Sequence, residues 1–209
     1  MHITLIAGAR PNFIKIAPLV HAIQKAQAEG KDIQYRLVHT GQHYDKNMSD
    51  TFFEELNIPM PDANLGCGGG TQAEQTAAIM IAFEKELTAH PTDLVLVVGD
   101  VTSTMACSIV AKKLNTRVTH VEAGIRSWDL TMPEEINRMV TDCLADFYFT
   151  TSEVANENLR HAGVSEDRIH FVGNVMIDTL RANEHRFVKP DAFDELKLQE
   201  KRYIVMTLH

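Results

Sequence analysis

The stretch Asp93-Leu94-Val95-Leu96-Val97-Val98-Gly99-Asp100-Val101-Thr102-Ser103-Thr104 decides the fold. An unbroken apolar run of Leu and Val, closed by glycine and followed by small polar residues, reads as a strand buried on both faces. Working outward, the same type of run recurs at His2–Gly8, Ile33–Thr40, Arg117–Val121, Phe147–Thr151, Arg168–Gly173 and Tyr203–Leu208. Amphipathic, helix-like segments lie between them, over Asn12–Glu29, Lys46–Asn57, Gln72–Ala89, Thr104–Leu114, Pro133–Ala145, Glu153–Ala162 and Val175–Arg186. Strand and helix alternating in this way predict a doubly wound α/β fold, a parallel sheet with helices on both faces.

Local punctuation agrees with these boundaries. Thr71-Gln72-Ala73-Glu74 fits a capping box ahead of the apolar positions Ala77, Ala78 and Ile81. Pro133 suits a first helical turn, and Gly163 a helix end. The charged, Pro-containing segment Val188–Lys201 reads as a linker, so residues 1–187 are expected to form one domain. Residues 188–209 are then a linker and the opening strand of a second unit.

Composition narrows the function classes. A formal net charge of -8 argues against nucleic acid as a partner, where a basic face is expected. Local cations and helix N-termini can still hold an anionic small molecule. Cys67, Cys107 and Cys143 share no close spacing and read as reduced thiols, and the 10 histidines form no HExxH pattern. No metal or other cofactor is expected. No apolar run approaches the roughly 20 residues of a membrane span, and the N-terminus has no basic lead. The expected location is the cytoplasm, away from membranes.

Ligands of open α/β sheets bind beyond the carboxyl ends of the strands, so the residues there matter most. They are Gly8-Ala9-Arg10-Pro11 with Lys15 behind, Gly41-Gln42-His43, Gly99-Asp100, and His120-Val121-Glu122-Ala123-Gly124-Ile125-Arg126. Pro133-Glu134-Glu135-Ile136-Asn137-Arg138 and Gly173-Asn174 follow. Cations, carboxylates and glycines thus collect on one edge. Each also has a plainer reading. Gly8 and Gly41 fit turns, Asp100 fits a helix cap, and Glu134 with Arg138 fits a surface ion pair. The cluster Gly66–Gly70 fits a loop better than a phosphate cradle, because it lacks GxGxxG spacing. Glu122 is harder to explain away, since a charge at the end of an apolar strand needs a partner.

Taken in order, GARPNFIKIAPL (8–19), VHTGQHYDKNM (38–48), GDVTST (99–104), HVEAGIRS (120–127), MPEEINR (132–138) and VGNVMIDT (172–179) are more specific. This series resembles the non-hydrolysing UDP-N-acetylglucosamine 2-epimerase family, and the closing Thr207-Leu208-His209 is similar to the start of that family's THR-type motif. The resemblance implies the Rossmann-like N-terminal half of a two-domain, glycosyltransferase-B-type fold, with 188–209 leading into the UDP-binding domain. It implies inversion at C2 of a UDP-sugar by elimination and re-addition of UDP, and a homodimer. By motif position it implies Arg10, Lys15 and Arg138 as substrate-binding cations, and Asp100, Glu122, Glu134 and His209 as catalytic groups. A chain without the second domain is expected to bind and turn over UDP-sugars weakly. Members controlled allosterically carry a glutamine-rich stretch where this sequence has Gln42-His43-Tyr44-Asp45-Lys46-Asn47. The alternatives are the epimerase of UDP-2,3-diacetamido-glucuronic acid, a hydrolysing relative, a glycosyltransferase half, and a non-catalytic nucleotide-sugar-binding module.

Overall fold

The computed structural model describes residues 1–41 and 53–207, apart from the Arg10 side chain. The strands are β1 His2–Ala7, β2 Gln34–His39, β3 Ala63–Asn64, β4 Leu94–Val98, β5 Arg117–Val121, β6 Phe147–Thr150 and β7 Ile169–Phe171. All pair in parallel, in the order β3-β2-β1-β4-β5-β6-β7. The helices are α1 Arg10–Ala28, α2 Gln72–Ala89, α3 Thr102–Lys113, α4 Pro133–Leu144, α5 Glu153–His161, α6 Val175–Asn183 and the short α7 Asp191–Glu195.

β4 is apolar along its whole length because two separate cores sandwich the sheet. Val95 and Val97 enter one core with Ile79, Phe83 and Leu87 of α2 and Ala106, Cys107 and Val110 of α3. Leu96 and Val98, pointing the other way, join Phe13, Ile16 and Val20 of α1 and Val175 of α6. The period of two along a strand divides neighbouring residues between the cores. The doubly wound architecture expected from the sequence is therefore the architecture observed.

The Thr71 capping box forms as read: the Glu74 amide donates to Thr71 Oγ1 and the Thr71 amide to Glu74 Oε2. The buried face of the helix behind it runs through other apolar positions than those named with the box. Ala77, Ala78 and Ile81 are exposed, and Ile79, Phe83 and Leu87 face the sheet. Small and apolar residues occupy nearly every position from Ala77 to Phe83, so periodicity alone does not select a face. α1 starts two residues earlier than expected, with Pro11 in its first turn. The two-residue strand β3 was not anticipated.

The strand expected over Tyr203–Leu208 does not form over its described part. Residues 203–207 pair with no strand among the described residues, and Ile204 is 94% exposed. A β-prone sequence becomes a strand only beside a partner that completes its ladder, and none of the described strands lies against it. The helix expected over Lys46–Asn57 lies mostly outside the described residues; 53–56 are helical.

Candidate active site

The sheet order reverses direction between β1 and β4: β1 leads outward to β2, and β4 leads the opposite way to β5. Their carboxyl ends flank the crevice where doubly wound proteins bind ligands. Asn12 stitches this point together. Its Oδ1 accepts from the Gly8 and Ala9 amides at 3.0 and 2.9 Å, and its Nδ2 donates to the Val98 carbonyl at 3.1 Å.

Two cation–carboxylate pairs stand beside this junction. Lys15, one turn into α1, reaches across to Glu122 at the end of β5, Nζ to Oε2 2.5 Å, with both side chains largely buried. Glu122 holds a left-handed backbone, φ 70°, a conformation that costs a non-glycine residue about 1–3 kcal/mol and recurs at functional sites. Gly99 makes room for the pair: a Cβ there would lie 3.2 Å from Lys15 Nζ and 3.4 Å from Glu122 Oε2.

The second pair follows directly. Arg138 of α4 donates through Nη1 to Asp100 Oδ2 at 2.5 Å, and through Nε to Glu135 Oε2 at 2.9 Å. Asn137 Nδ2 donates to the Asp100 carbonyl at 2.8 Å. Glu135 has no exposed surface and also accepts from the Ser127 amide and hydroxyl and the Trp128 amide. Burial pushes its carboxyl up, but the Ser127 amide, the Arg138 guanidinium and the Trp128 amide outweigh this and hold it at about 2. Glu135 therefore anchors the loop ahead of α4 and aims Arg138 at Asp100.

The structure brings Lys15, Glu122, Asp100 and Arg138 to one edge of the sheet. Arg10 is the first residue of α1 at that edge. Glu134 is exposed on the first turn of α4 and makes no hydrogen bond or ion pair among the described residues. Gln42, His43 and His209 lie outside the described residues. Two plainer readings fail: Asp100 does not cap α3, whose N-cap is Val101, and Arg138 pairs with Asp100 and Glu135 rather than Glu134. Asn174 caps α6 by accepting from the Met176 amide at 2.9 Å.

Sequence reasoning missed the residues behind these groups: Asn12, His120, Glu135, Asn137 and Asp142. Only Glu135 carried a signal, three positions before Arg138 and so on the same helical face. Among the described residues, no group of three or more His, Cys, Asp or Glu side chains could hold a metal ion. None of the described helices is long and apolar enough to cross a membrane.

Sheet order, two-sided helix layers and this polar edge define a Rossmann-type protein with carboxylates and cations at its switch point. Within that class the chain belongs to the UDP-N-acetylglucosamine 2-epimerase family, whose model matches residues 25–209. It is 41% identical over 212 residues to the UDP-N-acetylglucosamine 2-epimerase of Methanocaldococcus jannaschii, covering 100% of this chain and 57% of that protein. It is 39% identical over 211 residues to the UDP-2,3-diacetamido-2,3-dideoxy-D-glucuronate 2-epimerase of Pseudomonas aeruginosa, with the same two coverages. The crystal structure of the M. jannaschii enzyme in complex with UDP-GlcNAc and UDP matches with TM-score 0.85 and 41% identity, over 94% of this chain and 53% of that one. The chain thus spans about half the length of the curated relatives it matches. Its sheet is of the kind found in glycosyltransferase-B-type folds.

Proposed function

We propose that the protein inverts C2 of a UDP-N-acetylhexosamine, interconverting UDP-N-acetylglucosamine and UDP-N-acetylmannosamine. In this reading residues 1–187 are the N-terminal domain and 188–209 lead into a UDP-binding domain. One observation carries it: the pairs Lys15–Glu122 and Arg138–Asp100 flank the switch point of a chain in this family.

The C2 hydrogen of the sugar has no carbonyl beside it, so direct deprotonation is slow. Elimination avoids the difficulty. A carboxylate takes the C2 proton, the C–H electrons form a C1=C2 double bond, and the C1–O bond breaks with its electrons leaving on UDP. A proton then reaches C2 from the opposite face as the UDP oxygen re-forms its bond to C1. Glu122 and Asp100 are assigned the proton transfers, with Glu134 supporting them. Arg10, Lys15 and Arg138 are assigned to the diphosphate, where fixed donors lower the barrier by several kcal/mol, and His209 is assigned to the catalytic groups.

The natural setting proposed is a cytoplasmic homodimer, formed through this domain. The exposed outer face of α2, with Ala77, Ala78 and Ile81, supplies an apolar surface for it. Sedimentation of wild type and Ile81→Asp tests the dimer; a monomeric wild type refutes it.

Proton NMR of UDP-N-acetylglucosamine in D2O, with the chain and with the native gene product, tests the reaction. The expected result is deuterium at C2 together with UDP-N-acetylmannosamine, strong with the native gene product and weak with the 209 residues alone. Strong turnover by the isolated chain would overturn the two-domain part. The 39% identity to the P. aeruginosa enzyme favours one second reading, a diacetamido-glucuronate substrate. Direct competition between the two UDP-sugars decides between them.

A further inference from the structure

We propose that His120 is a positioning residue for Asp100, acting by clamping the carbonyl of Gly99. The inference rests on the proposed reaction for its consequence in catalysis. Its geometry stands independently.

The peptide joining Gly99 to Asp100 is planar, so the direction of the Gly99 carbonyl sets where the Asp100 side chain leaves the backbone. Glycine has no side chain of its own to hold that plane, and Gly99 cannot gain one without crowding Lys15 and Glu122. The plane is instead held from outside. The Gly99 amide donates to the Val121 carbonyl at 3.0 Å, and Asn137 Nδ2 donates to the Asp100 carbonyl. Those two bonds fix the peptides on either side; the plane itself is held by His120, fully buried on β5, whose Nε2 lies 2.8 Å from the Gly99 carbonyl oxygen.

His120 is itself fixed from behind. Its Nδ1 lies 2.7 Å from Asp142 Oδ1. Asp142 Oδ2 accepts from Arg126 Nη1 at 2.6 Å and from the Gly124 amide at 3.0 Å. Burial pushes the Asp142 carboxyl up, but the neighbouring His120 ring and Arg126 guanidinium outweigh it and hold the group below its usual range. A carboxylate and a carbonyl can only accept, so both ring nitrogens of His120 donate. A buried side chain with both donors committed in opposite directions has one ring orientation. If packing were all that this site required, an apolar residue would fill it without that desolvation cost. The chain Arg126–Asp142–His120–Gly99 therefore transmits the position of α4 and the loop after β5 to the backbone carrying Asp100. A misplacement of about 1 Å at a reacting group can cost about 100-fold in rate.

Two substitutions separate the roles of the two nitrogens. In His120→Gln the side-chain amide reaches the Nε2 position and keeps a donor on Gly99. In His120→Asn the amide sits at the Nδ1 position, keeps Asp142 and gives up Gly99. The readouts are kcat and KM for C2 exchange in the native gene product, and amide hydrogen exchange at Gly99 in the same protein. The expected result is kcat lower by about tenfold or more in the Asn variant with KM nearly unchanged, faster Gly99 exchange, and both restored towards wild type by Gln. Asn and Gln variants that behave alike in both readouts overturn the proposal. Should wild type exchange no C2 proton of any UDP-sugar, the proposed reaction fails, and the Gly99 amide still decides the clamp.

Discussion

Lys15 Nζ and Glu122 Oε2 lie 2.5 Å apart, joining the first helix to the end of strand β5 across 107 positions of sequence. The contact holds together two elements that flank the switch point, and it balances a charge on a strained backbone. Removing either partner leaves the other largely buried without its counter-charge. Glu122→Gln and Lys15→Met are each expected to cost about 1–3 kcal/mol. The double variant should lose less than the sum, with a coupling of about 1–3 kcal/mol in urea unfolding. Additive losses would show that the pair does not interact. If Glu122 also moves the C2 proton, Glu122→Gln lowers exchange by about 10²–10⁴-fold.

Glu134 is the opposite case. It is exposed and bonded to nothing among the described residues, so the fold does not depend on it. Glu134→Gln should leave stability within about 0.5 kcal/mol of wild type. A fall in C2 exchange of tenfold or more, with that stability kept, would assign the residue to the reaction. Unchanged exchange would remove it from the site.

Glu135 is held by the fold rather than presented to a ligand, and pH exposes the difference. Its carboxyl sits at about 2 in the folded protein against an ordinary value of 4.5. A depressed carboxylate stabilises the fold fully above its unfolded value, and that contribution fades as pH falls through the folded one. Wild-type stability should therefore drop between about pH 4.5 and pH 2 with a component that Glu135→Gln lacks. The variant should also be less stable at neutral pH, because Ser127, Trp128 and Arg138 lose their shared acceptor. Parallel stability curves for the two proteins over the acid window would refute this assignment.

How far the sequence could be read follows from the range of the interactions. The strand cores were legible because burial on both faces demands unbroken apolar runs, as at Leu94–Val98. The switch-point groups Asp100 and Glu122 were legible because polar residues directly follow such runs. The choice of face on α2 was not, since apolar residues occur nearly all round it between Ala77 and Phe83. Nor was the division of labour in Pro133-Glu134-Glu135. One of two adjacent carboxylates is exposed and the other fully buried, and only the packing of α4 against Asp100 and the Ser127 loop decides which. His120 looked like one more strand residue, because both its partners, Gly99 and Asp142, are more than twenty positions away.

Gly124 tests how tightly the site loop is pressed between its neighbours. Its φ is 78°, and a Cβ there would lie 2.3 Å from the carbonyl oxygen of Ala155 in α5. That obstacle is helix backbone, which cannot swing aside as a side-chain end would. The glycine is also bonded on both sides, its amide to Asp142 and its carbonyl to Asn158 Nδ2 at 2.9 Å. To admit a methyl group, either α5 or the loop carrying Glu122 must shift. Gly124→Ala is accordingly expected to lose about 2–4 kcal/mol, combining left-handed strain with overpacking. Urea unfolding gives the loss, and amide exchange over residues 120–126 shows where it falls. A loss below about 0.5 kcal/mol, the range of an ordinary surface change, would mean that α5 does not brace the loop. The loop that presents Glu122 would then be held by the Lys15 contact, the Phe149 carbonyl and the Arg126–Asp142–His120 chain.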